Sequence, residues 1–303
     1  PQKPYDLPQI APHLLQNVAK KKEGERIKTT VKFALQNRVN QIATQYYNQY
    51  RQSEIHNLAI RVVYVETRNI ISYIGNSPTD VAHQKDVDII TAPRSTGSIL
   101  KPFLYALALE KGFTPSTILP DIPLDFGFSE LYIPQNFNNR FNGPFRFRIA
   151  LASSLNVPAV YLLNQLGMET YLEKLRELHF ESLENQTPGL GLALGNAEVS
   201  LFELVNAFSV FPKNGYYVPN NFLQNIDIET DVKSKATQVF SYDTSALICD
   251  ILSDENSRAL GFGYSEVFKP GFDAIFKTGT ANQYQNITAL GATPLYTVGV
   301  WMG

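Results

Sequence analysis

Leu58-Ala59-Ile60-Arg61-Val62-Val63-Tyr64-Val65 and Ile70-Ile71-Ser72-Tyr73-Ile74-Gly75 flank the short polar stretch Glu66-Thr67-Arg68-Asn69. Both runs are rich in β-branched and aromatic residues, which suit a pleated, half-buried surface, so the segment predicts an antiparallel hairpin. A matching pair closes the chain, Asp273 to Thr280 and then Leu295 to Trp301. One antiparallel sheet assembled from both ends, with the middle inserted as a second lobe, is the simplest way to pair them all. The expected fold class is α/β in the α+β sense, a sheet built from both chain ends, covered by helices and carrying an inserted, mostly helical lobe.

The helical lobe follows from periodicity. Leu100 to Glu110, Ile149 to Leu166, Met168 to Leu178, Glu198 to Phe211 and Ser245 to Leu252 each carry apolar residues three or four apart, and Gly or Pro closes several of them. Upstream, Val31, Leu35, Val39, Ile42 and Tyr46 recur at helical spacing and predict an amphipathic helix from Thr29 to about Tyr50. Phe113 to Arg148, dense in Pro, Phe, Asn and Gly, is too long for a passive connection, and loops of that length tend to line functional grooves. Residues 1 to 25 hold four prolines and no sustained periodicity, which suggests a linker or docking strap from an upstream module. Residues 26–303 then form one domain, with a sheet lobe at about 26–97 and 256–303 and a helical lobe at about 98–255.

Composition narrows the function classes. Of 303 residues, 44% are hydrophobic and 18% charged, so the chain is globular rather than disordered. A formal charge of -2 leaves no basic field for a phosphate backbone, and the run Lys20 to Lys22 reads as a solvated face or tether. The single cysteine, Cys249, excludes an intrachain disulfide and a multi-cysteine metal site, and its apolar neighbours make it a packing residue rather than a catalytic thiol. His13, His56, His83 and His179 are scattered without metal-ligand spacing, so no metal site is expected. No apolar run approaches the ~20 residues of a membrane span, and the start lacks the order of a signal peptide. The glycines of Gly189-Leu190-Gly191-Leu192-Ala193-Leu194-Gly195 miss the spacing of a nucleotide loop and read as turn and packing residues.

Three short motifs carry chemistry. In Ser98-Ile99-Leu100-Lys101, the turn-prone residues before Ser98 and the proline at 102 place Ser98 at a helix N-terminus with Lys101 one turn on, so hydroxyl and amine share a face. Serine is a poor nucleophile and lysine a poor base unless desolvation or a neighbouring cation favours the neutral amine, and Ile99, Leu100, Phe103 and Leu104 supply apolar surroundings. In Ser154-Leu155-Asn156, two polar groups interrupt an apolar stretch and are expected to face a polar site, Ser154 as a proton relay and Asn156 as a ligand for a substrate amide. In Lys277-Thr278-Gly279-Thr280, a strand ends with a cation and hydroxyls suited to a carboxylate, and Gly279 lets an extended peptide approach. Each motif alone has an ordinary structural reading as an N-cap, a turn or a glycine bulge. Together and in order, they match the trio of penicillin-binding proteins and β-lactamases.

The segment Arg94-Ser95-Thr96-Gly97-Ser98-Ile99-Leu100-Lys101-Pro102-Phe103-Leu104-Tyr105-Ala106 resembles the transpeptidase domain of class A penicillin-binding proteins, subtype 1C most of all. Tyr132 to Phe137, Ala150 to Ala159, Leu192 to Ser200 and Tyr296 to Trp301 extend the likeness from about Arg26 to the last residue. The resemblance implies a β-lactamase/transpeptidase-like fold and a peptidoglycan D,D-transpeptidase that β-lactams acylate. It implies Ser98 as nucleophile, Lys101 as its base, Ser154 as proton shuttle, Lys277 as electrostatic aid, Asn156 as peptide ligand, and Thr278 and Thr280 beside Gly279 as carboxylate ligands, with the Ser98 and Thr280 N–H groups holding the oxyanion. No cofactor is implied. Stem peptides, β-lactams, an upstream glycosyltransferase and a membrane anchor outside this chain are the implied partners, at the periplasmic or outer face of the bacterial inner membrane. A D,D-carboxypeptidase, a β-lactamase and a non-enzymatic penicillin-binding sensor or scaffold remain open alternatives. The chain departs from the family at Asn286-Ile287-Thr288-Ala289, where an acidic residue and an Ala-Trp-Phe-like run are usual, and at Gly303, beyond which a further strand and helix are usual, so an exposed sheet edge is expected.

Overall fold

The computed structural model describes residues 9–19, 26–127, 132–224, 236–281 and 284–303; Lys20 to Lys22 lie outside them. The central sheet has five antiparallel strands, β1 (Leu58–Tyr64), β2 (Asn69–Ile74), β3 (Ile275–Ala281), β4 (Asn286–Ala292) and β5 (Tyr296–Met302), in the order β2-β1-β5-β4-β3. The expected sheet from both chain ends is present, but its closing part supplies three strands rather than two. The additional strand, β4, contains the Asn286 to Ala289 departure. It buries Asn286, Thr288, Leu290 and Ala292, so half of its inward positions are polar and the apolar alternation that marks a strand is missing. The last strand is internal: Trp301 pairs with Ala59 on one side and Thr288 on the other. One sheet edge is therefore β3, the strand of the Lys277 motif, rather than the strand at the end of the chain.

Alternation along β1 divides two layers. Leu58, Ile60 and Val62 pack with Ile71 and Ile74 under Val39 and Ala43 of helix α2 (Phe33–Tyr50), which follows α1 (Pro12–Ala19). Ala59 and Val63 face the other way, into the main core. Within the stretch expected as a linker or strap, Leu14 and Val18 of α1 join that core, and Asn17 Nδ2 donates to Asp88 Oδ2 at 2.6 Å.

Among the described residues, the remaining α-helices are α3 (Lys101–Glu110), α4 (Phe147–Ala152), α5 (Asn156–Leu166), α6 (Met168–Glu177), α7 (Leu201–Phe208), α8 (Tyr242–Ser253) and α9 (Glu255–Phe262). Every residue from Lys101 to Ala108 is buried, so α3 is the axle of the lobe; Phe103 rests 5.5 Å from both Phe180 and Phe211, centroid to centroid. The single helix expected over Ile149 to Leu166 is two, broken at Ser153 to Leu155, where Ser154 takes a left-handed φ of 58°. The helix expected from Glu198 starts at Leu201, because Ser200 and Glu203 form a reciprocal capping box. Phe113 to Arg148 is not irregular throughout: Ile118–Asp121 pairs antiparallel with Gly143–Arg146. Cys249 is half-buried and its thiol is pushed up to about 11 by burial, which fits a packing role.

Candidate active site

Ser98 lies in a 3₁₀ turn, Gly97–Leu100, that runs directly into α3, with Lys101 N–H donating to Ser98 O and proline in the first helical turn. The edge strand β3 comes against this turn. A Cβ on Gly279 would lie 2.2 Å from Thr96 O, and one on Gly97, whose φ is +55°, would lie 2.5 Å from Thr280 O. Only glycine permits two backbones this close, so both residues fix the approach of Thr280 to the turn that holds Ser98. Ser98 and Thr278 are half-buried and Thr280 is exposed, so all three residues reach the surface where turn and strand meet, whereas Gly279 serves the contact with the turn rather than an opening for a peptide.

The break between α4 and α5 brings the second motif to the same place. Ser154 accepts a hydrogen bond from Lys277 Nζ at 2.9 Å, and its Oγ is 3.5 Å from Lys101 Nζ. The left-handed backbone at Ser154, a conformation that costs a non-glycine residue ~1 kcal/mol or more, points Ser154 O as well toward Lys101, at 2.7 Å. Lys101 Nζ also donates to Leu155 O at 3.0 Å and to Asn156 Oδ1 at 2.7 Å. Four oxygens thus surround a nitrogen that carries at most three hydrogens. Ser154 Oγ, the most distant, is the one able to donate to a neutral Lys101.

Neither lysine touches a carboxylate among the described residues. Burial, reinforced by the charge of Lys277 and opposed by Asp121, holds Lys101 well below the usual lysine range. Burial, reinforced by Arg258, brings Lys277 down to about 7. These are the conditions under which a lysine acts as a base near neutrality.

The three motifs therefore converge, with two differences from expectation. The hydrogen bonds of Lys101 go to the Ser154–Asn156 turn and to none of the Ser98 side-chain atoms, although Ser98 lies one turn away. Asn156 is already engaged through its Oδ1 by Lys101 and through its Nδ2 by Gln135 O at 2.7 Å, leaving one amide hydrogen for a ligand.

Sequence reasoning did not single out Arg258, Asp121 or the amide of Asn136. Arg258, on the unanticipated helix α9, is 3% exposed, donates to Leu252 O, and lies 4.7 Å over the Phe268 ring and 5.7 Å over that of Phe276, next to Lys277. Asp121, fully buried, accepts from Asn136 Nδ2 at 2.7 and 2.9 Å, and Asn136 Oδ1 accepts from Asn156 N at 2.8 Å. Asp121 and Asn136 lie in the overlong loop, and Asn136 lies also in the Tyr132 to Phe137 stretch that carries the family likeness. Among the described residues, no group of three or more His, Cys, Asp or Glu side chains is placed to hold a metal ion, and no helix is long and apolar enough to cross a membrane.

Comparison with known proteins gives this geometry its context. Residues 59–302 match the family model of the penicillin binding protein transpeptidase domain. The chain is 29% identical to penicillin-binding protein 1C of Escherichia coli over 304 residues, 99% of this chain and 38% of that protein, and 29% identical to penicillin-binding protein 4 of Bacillus subtilis, over 93% and 45%. It thus spans less than half the length of these relatives. In fold it is similar to the PonA1 protein of Mycobacterium tuberculosis in complex with penicillin V, with a TM-score of 0.75 at 18% identity, covering 97% of this chain and 82% of that one. It is likewise similar to penicillin-binding protein 1A of Haemophilus influenzae, at a TM-score of 0.69 and 22% identity over 82% and 43%. With the match running from the second residue of β1 almost to the last residue, and so over both lobes, the chain belongs to the penicillin-binding protein transpeptidase domain family.

Proposed function

We propose that the chain is a peptidoglycan D,D-transpeptidase domain working through a serine acyl-enzyme at Ser98, and that β-lactams acylate the same hydroxyl. The observation that carries the reading is the position of Ser154 Oγ between two buried lysines, 2.9 Å from Lys277 Nζ and 3.5 Å from Lys101 Nζ. A neutral Lys101 takes the Ser98 proton as Oγ attacks the penultimate D-alanyl carbonyl carbon, and the oxyanion forms toward the Ser98 and Thr280 N–H groups. Protonated Lys277 donates to Ser154 Oγ, which frees the Ser154 proton for the leaving amine; Lys101 then returns its proton to Ser154. The C–N bond breaks, D-alanine leaves, and the Ser98 ester passes to an amine of a neighbouring stem peptide. Asn156 Nδ2 binds the donor peptide, and Lys277, Thr278 and Thr280 hold its terminal carboxylate beside the turn that Gly279 lets the strand approach.

The family membership supports this reading, as does the share of each relative that the chain covers: a glycosyltransferase module and a membrane anchor belong to the rest of such a protein, and the reaction takes place outside the cytoplasm. Intact-protein mass after incubation with benzylpenicillin tests the site. A persistent adduct of one penicilloyl group on the native chain and none on Ser98→Ala is expected. Rapid turnover of the β-lactam would make the domain a β-lactamase instead, and a folded native chain that acquires no adduct would make it a scaffold.

A further inference from the structure

Asp121 is a buried carboxylate that no step above uses. It sits at the end of Ile118–Asp121 in the long loop, shows no exposure, and touches no cation among the described residues. A buried charge without an ion partner is costly unless its oxygens are saturated with hydrogen bonds. They are: Asn136 Nδ2 donates to Oδ1 at 2.7 Å and Oδ2 at 2.9 Å, and Asn142 donates to Oδ2 from its backbone N at 2.9 Å and its Nδ2 at 2.6 Å. Every donor is an N–H, which suits an oxygen pair that only accepts.

The chain of contacts leads to the proposed base. Asn136, with Nδ2 held by Asp121 and by Arg140 O at 2.9 Å, can turn only Oδ1 toward α5, where it accepts from Asn156 N at 2.8 Å. Next to it, Gln135 O accepts from Asn156 Nδ2 at 2.7 Å, so Asn156 Oδ1 must face Lys101 Nζ, also at 2.7 Å. Residues 121, 136, 156 and 101 thus form one connected polar path, buried at Asp121, Asn136 and Lys101 and half-buried at Asn156, and low dielectric strengthens its buried bonds.

We propose, resting on the reading of Lys101 as base, that Asp121 is a positioning residue for acylation: through Asn136 it sets the amide of Asn156 against Lys101, and its buried charge balances the positive charge that Lys101 acquires when it takes the serine proton. It is the negative charge that favours protonation of a lysine whose hydrogen-bond partners are all oxygens of neutral groups. The other charged group facing Lys101 is Lys277 from β3, which opposes protonation; Arg258 of α9 faces Lys277, and Tyr105 on α3 faces Asp121.

The test is the rate of benzylpenicillin acylation against pH for native protein, Asp121→Asn and Asn136→Ala, with thermal melts alongside. Loss of the negative charge favours neutral Lys101, so in Asp121→Asn the ascending limb moves to lower pH by about half a unit or more, while the weaker base lowers the plateau about tenfold. Asn136→Ala, which keeps the charge and cuts the path, lowers the plateau without that displacement. A merely structural Asp121 would lower the plateau and leave the limb in place, and a folded Asp121→Asn with the native plateau and limb equally overturns the proposal. If Asp121→Asn does not fold, Asn136→Ala decides, and native acylation by it overturns the proposal. Native protein that is never acylated at Ser98 removes the base reading itself, an outcome separate from the failure of Asp121 alone.

Discussion

Lys277 Nζ donates to Ser154 Oγ at 2.9 Å across 123 residues of sequence, joining the sheet edge to the turn between α4 and α5. The proposed role of Lys277 needs a protonated amine, whereas the proposed role of Lys101 needs a neutral one. Two lysines with opposite protonation requirements, both held below the usual lysine range, give a bell-shaped rate profile. Acylation of Ser98 is expected to rise with pH as Lys101 loses its proton and to fall through about pH 7 as Lys277 loses its own. Stopped-flow acylation from pH 5 to 10 checks this, and a profile that rises monotonically across the range would remove the charged role of Lys277.

Removing the bridge itself is expected to cost more than moving its titration. Ser154→Ala deletes the hydroxyl between the lysines and changes little volume, so acylation should fall by roughly 10² to 10⁴ while the melting temperature stays close to native. Loss of less than tenfold would mean that the proton reaches the leaving group by another path.

Lys277 also makes stability depend on pH. Its folded-state pKa lies below its unfolded value, so between about 7 and 10.5 the unfolded chain binds a proton that the folded chain does not. By linkage, this group's contribution to unfolding free energy increases with pH through that window, at up to ~1.4 kcal/mol per pH unit, and is constant below it. Lys101, lowered for the same reason, adds in the same sense. Urea midpoints at pH 7 and 9 should therefore differ less for Lys277→Met than for native protein, and an unchanged difference would refute the buried, neutral Lys277.

How much of this was legible follows from where the signal sits. Ser98, Lys101, Ser154, Asn156 and Lys277 were readable because each stands in a short motif whose chemistry is local. The β1–β2 hairpin was readable because most of its buried positions on both faces are apolar. Strand β4 was not, since it buries Asn286 and Thr288, and neither was α9, whose two buried residues are Ser257 and Arg258. Periodicity detects apolar faces, and these elements turn polar groups inward. The link from Asp121 through Asn136 to Asn156 was invisible for a different reason: loop hydrogen bonds bring these residues together, which no spacing rule encodes.

Gly279→Ala tests the close approach of β3 to the nucleophile's turn. A methyl group 2.2 Å from Thr96 O and 3.1 Å from Ile99 N must push strand and turn apart. Displacement of about 1 Å between reacting groups can cost ~10² in rate. The variant should fold, because only the sheet edge moves, and should acylate at least about 100-fold more slowly. Acylation at the native rate would show that the strand approach is not part of the site.

Arg258→Met separates electrostatics from packing at the floor of the site. Methionine retains apolar contact with Phe268 and Phe276 and removes the guanidinium that, after burial, is what depresses Lys277. Loss of a neighbouring positive charge favours protonated Lys277, so the descending limb should move to higher pH. Asp121→Asn is expected to displace the other limb, and in the opposite direction, because it acts on Lys101. The two variants together therefore assign each limb to its lysine. A descending limb unmoved in folded Arg258→Met would locate that titration elsewhere than Lys277.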